Sequence, residues 1–181
     1  MVAFVAGLAF SAKAGNWPSW RGDVAGSGIV RGEKIPLEWG TKKNVRWRVP
    51  LPDRGNSSPI VWGDKVFITQ ATDSDKRRTV MCFDKRTGEL LWRTGVTYTK
   101  AEKTHKTNPY CSGSPAIDGR VVVANYASAG VAAYDLEGQQ LWHRELGPQD
   151  HIWGNGTSPV LFGDLCIVYH GPGPRSSLHA L

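Results

Sequence analysis

Three times the chain repeats one short plan: "SSPIVWGDKVFI" at residues 57–68, "GSPAIDGRVVVA" at 113–124 and "TSPVLFGDLCIV" at 157–168. Each copy is an apolar run, a Gly/Asp turn and a second apolar run. A second landmark, a closing Trp, recurs at Trp47, Trp92 and Trp142. Pro59 to Pro115 spans 56 residues and Pro115 to Pro159 spans 44, while the Trp spacings are 45 and 50. Two independent landmarks share one unit length, the mark of a repeat architecture.

Within a unit the order is constant. Ile60-Val61-Trp62 meets the Gly63-Asp64 turn and Val66-Phe67-Ile68-Thr69 follows, the sequence form of a tight β-hairpin. After a polar loop comes Thr79-Val80-Met81-Cys82-Phe83, then a second turn from Asp84 to Gly88, then Leu90-Leu91-Trp92. The second unit repeats this with Pro115-Ala116-Ile117, Val121 to Ala124, Val131 to Asp135 and Leu141-Trp142. The third runs from Pro159 to Leu181 and stops where an Asp is expected, so the chain is expected to be truncated within that unit. With one strand expected around Arg46 to Leu51 before the first unit, the plan predicts twelve strands.

Four short antiparallel strands per unit make a sheet too small to bury both faces alone, so successive sheets must stack around an axis. The fold class is all-β: a β-propeller of four-stranded antiparallel blades. Propellers have about 4 to 8 blades, and three blades' worth is an open arc or partial ring. Helical solenoids are excluded because no long 3.6-residue period appears. A β-sandwich does not call for such regular repetition of turn and Trp. The expected division is an export signal at 1–14, a lead-in segment at 15–43, and a partial propeller at 44–181.

Composition narrows the function. With 40% hydrophobic and 21% charged residues the chain is globular. Its net charge of +6 is scattered, and the densest run, Lys76-Arg77-Arg78, reads as a solvated loop, so nucleic acid is not an expected partner. The three cysteines have no CxxC spacing, and Cys82 and Cys166 sit in apolar runs as small buried hydrophobes. "MVAFVAGLAFSAKA" resembles an export signal ending in a small-x-small cleavage site, though it lacks a basic start. No stretch reaches the roughly 18 apolar residues of a membrane-spanning helix. The expected location is periplasmic or extracellular.

"CFDKRTGELLW" at 82–92 resembles the tryptophan-docking repeat of pyrroloquinoline-quinone (PQQ)-like propellers, and "AYDLEGQQLW" at 133–142 is the same motif shortened by one and lacking the Thr. "NWPSWRGDVAGSG", "VRWRVPLPDRGNSSPIVWGDKVF" and "WGNGTSPVLFGDL" are similar to exported bacterial proteins of that family. The resemblance implies packing roles for Trp47, Trp92 and Trp142, small residues (Cys82, Ala133) beside the Trp, Asp84 and Asp135 bonding turn amides, and Gly88 and Gly138 supplying the turn backbone.

The opposite face of the blades carries only tight turns. Four polar and aromatic loops at 70–78, 95–113, 145–157 and 170–176 share the other face, where binding is expected. An Asn precedes each first strand: Asn56, Asn108 and Asn155. With Arg54, His105, Tyr110 and Trp153 they form a candidate face for a ligand or a protein or peptide partner; the simpler alternative is that each Asn satisfies local backbone groups. The resemblance also implies two functions. A non-catalytic exported scaffold or binding module is like the propeller lipoprotein of the outer-membrane assembly machinery, with no cofactor and with the remaining blades of a longer chain as neighbours. A fragment of a PQQ-dependent alcohol or sugar dehydrogenase is the alternative, bringing PQQ and calcium; the adjacent cysteines of many such enzymes have no counterpart here, and no carboxylate stands out as a base or calcium ligand.

Overall fold

Each turn of the repeat closes the hairpin its residues demand. In the computed structural model, which describes residues 15–22, 26–30 and 35–181, Gly63-Asp64 and Gly163-Asp164 join strands paired Trp62 to Lys65 and Phe162 to Leu165. The expected export signal lies outside the described residues. The first sheet is β1 (Ile60–Trp62), β2 (Lys65–Thr72), β3 (Arg77–Asp84) and β4 (Leu90–Thr97) in sequential antiparallel order. The second is β5 (Ala116–Ile117), β6 (Val122–Asn125), β7 (Val131–Tyr134) and β8 (Gln140–Arg144) in the same order. The third is β9 (Val160–Phe162), β10 (Leu165–His170) and β11 (Ser177–Ala180). The first strands β1, β5 and β9 lie side by side, so the sheets are blades of an open, partial β-propeller with its axis along those strands.

The docking motif works across blades. Along one row of the first blade, Ile60, Phe67, Cys82 and Trp92 are successive cross-strand partners facing the second blade. Because Cys82 is small, the rings of Phe67 and Trp92 reach over it to a centroid distance of 5.9 Å. The Trp92 indole then lies on Gly138 of the next blade, where φ is +89° and an added Cβ would come within 2.7 Å of the ring. Its Nε1 donates to the Leu136 carbonyl at 3.0 Å. Trp47 repeats this on Gly88, with φ of +76°, and donates to the Lys85 carbonyl at 2.9 Å. Asp84 accepts from the Arg86 and Thr87 amides at 2.8 and 2.7 Å, and Asp135 accepts from Glu137 and Gln139 at 3.0 and 2.8 Å. Ala133 stands opposite Trp142, which packs with Val123, Cys166 and Leu161 in the seam between blades two and three.

Three expectations are corrected. The segment from Arg46 to Leu51 joins no ladder, so the described residues form eleven strands, not twelve. Trp47 and Val49, two residues apart in it, both cover Val66, Ile68, Met81 and Phe83 on the outer face of the first blade. The loop at 70–78 shrinks to residues 73–76, because Gln70, Ala71 and Thr72 pair with Thr79, Arg78 and Arg77. Arg78 is therefore not solvated. It is 2% exposed, ion-paired with the equally buried Glu102, and its guanidinium carbon sits 3.8 Å from the centre of the Tyr110 ring.

The seam between blades two and three holds a buried histidine. His170 is 3% exposed, its Nδ1 lies 2.8 Å from the Gln149 side-chain amide, and His179 stands edge-on with centroids 6.0 Å apart. Burial, and then the nearby His179, push its pKa below the ordinary value. A group depressed by folding contributes stability that is full above its unfolded pKa, about 6.5, and is lost as pH falls through the folded value. The melting temperature is accordingly expected to drop below about pH 6.5. His170→Gln should flatten that part of the profile in thermal circular dichroism; an unchanged slope would assign it elsewhere.

Candidate functional site

The residues that lead into the first strands form a repeated set of ties along the rim of the propeller. The Ser58 amide donates to the Ser114 hydroxyl at 2.9 Å, and the Ser114 amide donates to the Ser158 hydroxyl at 3.0 Å. The Ser of the first two Ser-Pro pairs thus hands its N–H to the next blade, while the Pro that follows has no N–H to satisfy. Thr69 on β2 donates to the Cys111 and Gly113 carbonyls at 2.9 and 2.6 Å, and Asn125, its register equivalent on β6, donates to the Thr157 hydroxyl at 2.8 Å. Tyr169 holds that position on β10, half exposed.

The three Asn side chains serve the same rim. Asn56 donates to the Thr107 carbonyl at 2.8 Å, Asn108 to the Trp153 carbonyl at 2.5 Å, and Asn155 to the Gly171 carbonyl. Two of the three therefore reach the loop of the following blade, and the third closes its own. His105 packs against Trp153 with ring centroids 4.4 Å apart and the planes tilted by 54°, and its Nδ1 lies 2.7 Å from the Thr107 hydroxyl. His105, Asn108, Trp153 and Asn155 are thereby gathered on one seam of the long-loop face, with Trp153 half exposed. Arg54 is exposed at that face, and its carbonyl accepts from Gln70 at 2.8 Å. Tyr110 points inward: its hydroxyl donates to the Glu102 carbonyl at 2.6 Å, and burial raises its pKa despite the Arg78 charge.

A second concavity lies on the axis side. It encloses ≈ 890 Å³ and is lined by the inner strands β5 and β9 together with residues 18–21 of the lead-in segment. That segment was not expected here, because "NWPSWRG" has no strand period; it is placed by two hydrogen bonds of 2.8 Å between Trp17 and Val61 on β1. Trp62, at the end of β1, lines the same concavity and covers Gly119 of the second blade. Its place beside a turn, as with the docking Trp residues, was the only signal for it in the sequence.

The rim offers hydrogen bonding and aromatic contacts. Burial pushes the thiols of Cys82 and Cys111 up to about 12 and that of Cys166 to about 11, so all three are protonated and poor nucleophiles at neutral pH. The Thr87 amide and hydroxyl hold the Asp84 carboxyl below its usual range, as expected of a turn cap. Among the described residues, no three His, Cys, Asp or Glu side chains converge as ligands for a metal ion. Nor is any helix long and apolar enough to cross a membrane.

Comparison with known proteins agrees with this geometry. The chain is 20% identical over 151 residues to a polyvinylalcohol dehydrogenase of a Pseudomonas species, covering 83% of this chain and 22% of that protein. Its fold matches a europium-containing methanol dehydrogenase with a TM-score of 0.62 at 15% identity, covering 93% of this chain and 30% of the other. BamB from Moraxella catarrhalis matches with a TM-score of 0.51 at 21% identity, over 69% of this chain and 37% of that one. At such identities the structural likeness is one of fold, and the chain spans only a fifth to two fifths of its relatives' lengths. The model of one family covers residues 35–170, from ahead of the first blade to the last residue of β10. A match over three quarters of the sequence, falling on the docking Trp residues and their turns, places the chain in the family described as outer membrane protein assembly factor BamB.

Proposed function

We propose that the chain is part of an exported, non-catalytic propeller scaffold that binds protein segments. One observation carries the reading: the polar side chains of the long-loop face that repeat from blade to blade, Asn56, Asn108 and Asn155, are engaged in tying loops together. They build a stiff rim with stacking groups such as Trp153 on top, the character of a recognition surface. Membership of the BamB family supports a protein partner and a place in export or at the outer membrane.

A second reading, a piece of a quinoprotein oxidoreductase, is favoured by the fold match to the methanol dehydrogenase. The described residues do not suit its calcium, since no acidic cluster is present among them. After incubation with PQQ and calcium we expect no dye reduction with alcohols and no shift in melting temperature. Sustained turnover would replace the scaffold reading with the oxidoreductase one.

A further inference from the structure

Val61, Ile117 and Leu161 hold one register position in the three inner strands, opposite Val66, Val122 and Cys166. In a two-residue hairpin this pair exchanges no ladder bonds, so the N–H and C=O of each residue point to the propeller axis. The first two are occupied by the chain's own lead-in segment. The Val61 N–H donates to the Trp17 carbonyl at 2.8 Å, the Trp17 N–H donates back at 2.8 Å, and the Ile117 N–H donates to the Pro18 carbonyl at 2.9 Å. At Leu161 no such partner is present among the described residues. The free edge faces the concavity of ≈ 890 Å³, which Trp20 of the lead-in segment also lines, half exposed.

We propose that the axis-facing edge of β9 is a peptide-binding site. It takes an extended segment that pairs with Leu161 as Trp17 pairs with Val61, with an aromatic side chain at the pairing position. The occupant is argued from the chain itself: a Trp-Pro segment already lies along the equivalent edges of β1 and β5, and the site continues that interface by one blade. Strand addition supplies main-chain hydrogen bonds that any sequence can make, and Trp20 beside the edge offers an aromatic face to a side chain of the added segment. The inference rests on the scaffold reading for the class of partner, and adds where that partner lies.

The probe is a capped, fluorescently labelled peptide with the sequence of residues 16–22, titrated against the full chain by anisotropy. Leu161→Pro removes the axis-facing donor while leaving the β9–β10 ladder, which does not use it, intact. Leu161→Ala keeps the donor and trims the side chain. We expect the peptide to bind, to lose about tenfold in affinity for Leu161→Pro, and to change little for Leu161→Ala, as one main-chain bond predicts. If Leu161→Pro fails to fold, a peptide N-methylated at its first Trp should bind the unaltered chain about tenfold more weakly. No binding, or binding indifferent to both the proline and the N-methyl group, overturns the site. Absent binding without quinone turnover would leave the scaffold reading standing, whereas turnover with Leu161-dependent binding would remove that reading and keep the site.

Discussion

Trp92→Ala is expected to destabilise the chain by about 3 kcal/mol, the lower end of the range for truncating a large core aromatic because the indole is partly buried. Its indole meets Phe67 in its own blade and Gly138 in the next, and it donates to the Leu136 carbonyl, so truncation opens a seam and strands an acceptor. Trp92→Phe retains most of the volume and forfeits the N–H, and should cost about 1 to 2 kcal/mol. Gly138→Ala tests the other side of the contact. It requires an L-residue at φ of +89° and drives a methyl into the ring, so it should approach the Trp92→Ala value although it adds atoms rather than removing them. Urea unfolding by fluorescence measures all three. A loss below about 1 kcal/mol for Trp92→Ala would show that the blades are not held by the indole wedge.

The second large effect is expected at Arg78. It packs on Tyr110, pairs with Glu102 at 3.4 Å, and donates to the Asp75 carbonyl in a site from which water is excluded. Arg78→Ala leaves the Glu102 carboxylate, 5% exposed, without its counter-charge and should cost about 3 to 5 kcal/mol, as loss of one partner of a buried pair does. Replacing both charges, Arg78→Met with Glu102→Gln, should recover most of that loss, because the cost lies in the orphaned charge more than in the pair. The Gln retains an oxygen for the Ser128 amide, which Glu102 accepts at 2.9 Å. Equal losses in the single and double variants would mean that the Arg78 stem, not its charge, fills the site.

These two sites also show what a linear reading reaches. The packing role of Trp92 and the turn at Gly138 were legible because both are written as local patterns, a closing Trp and an Asp-to-Gly turn, that repeat at one period; that the one lies on the other depends on how the blades stack. The burial of Arg78 was not legible, since its partners stand 24 and 32 residues downstream in a loop with no period of its own, and three basic residues in a row look solvated whatever they meet. The segment at 46–51 alternates like a strand and lays Trp47 and Val49 on one cluster as a strand would. What it lacks is a neighbour to ladder with, and no residue in it encodes that. At the rim, the spacing of Asn56, Asn108 and Asn155 was visible, while the direction of their bonds depends on which carbonyls the next blade brings near.

The handover from Ser58 to Ser114 to Ser158 involves one amide and one hydroxyl per step, with no side chain particular to any blade. A joint so generic imposes no count. A gene that copies or drops one repeat leaves every remaining joint as it was, so lengthening and shortening of such chains should proceed by whole modules, and grafting a unit from a distant cousin needs its leading serine kept together with its closing Trp and the turn Gly that receives the Trp before it.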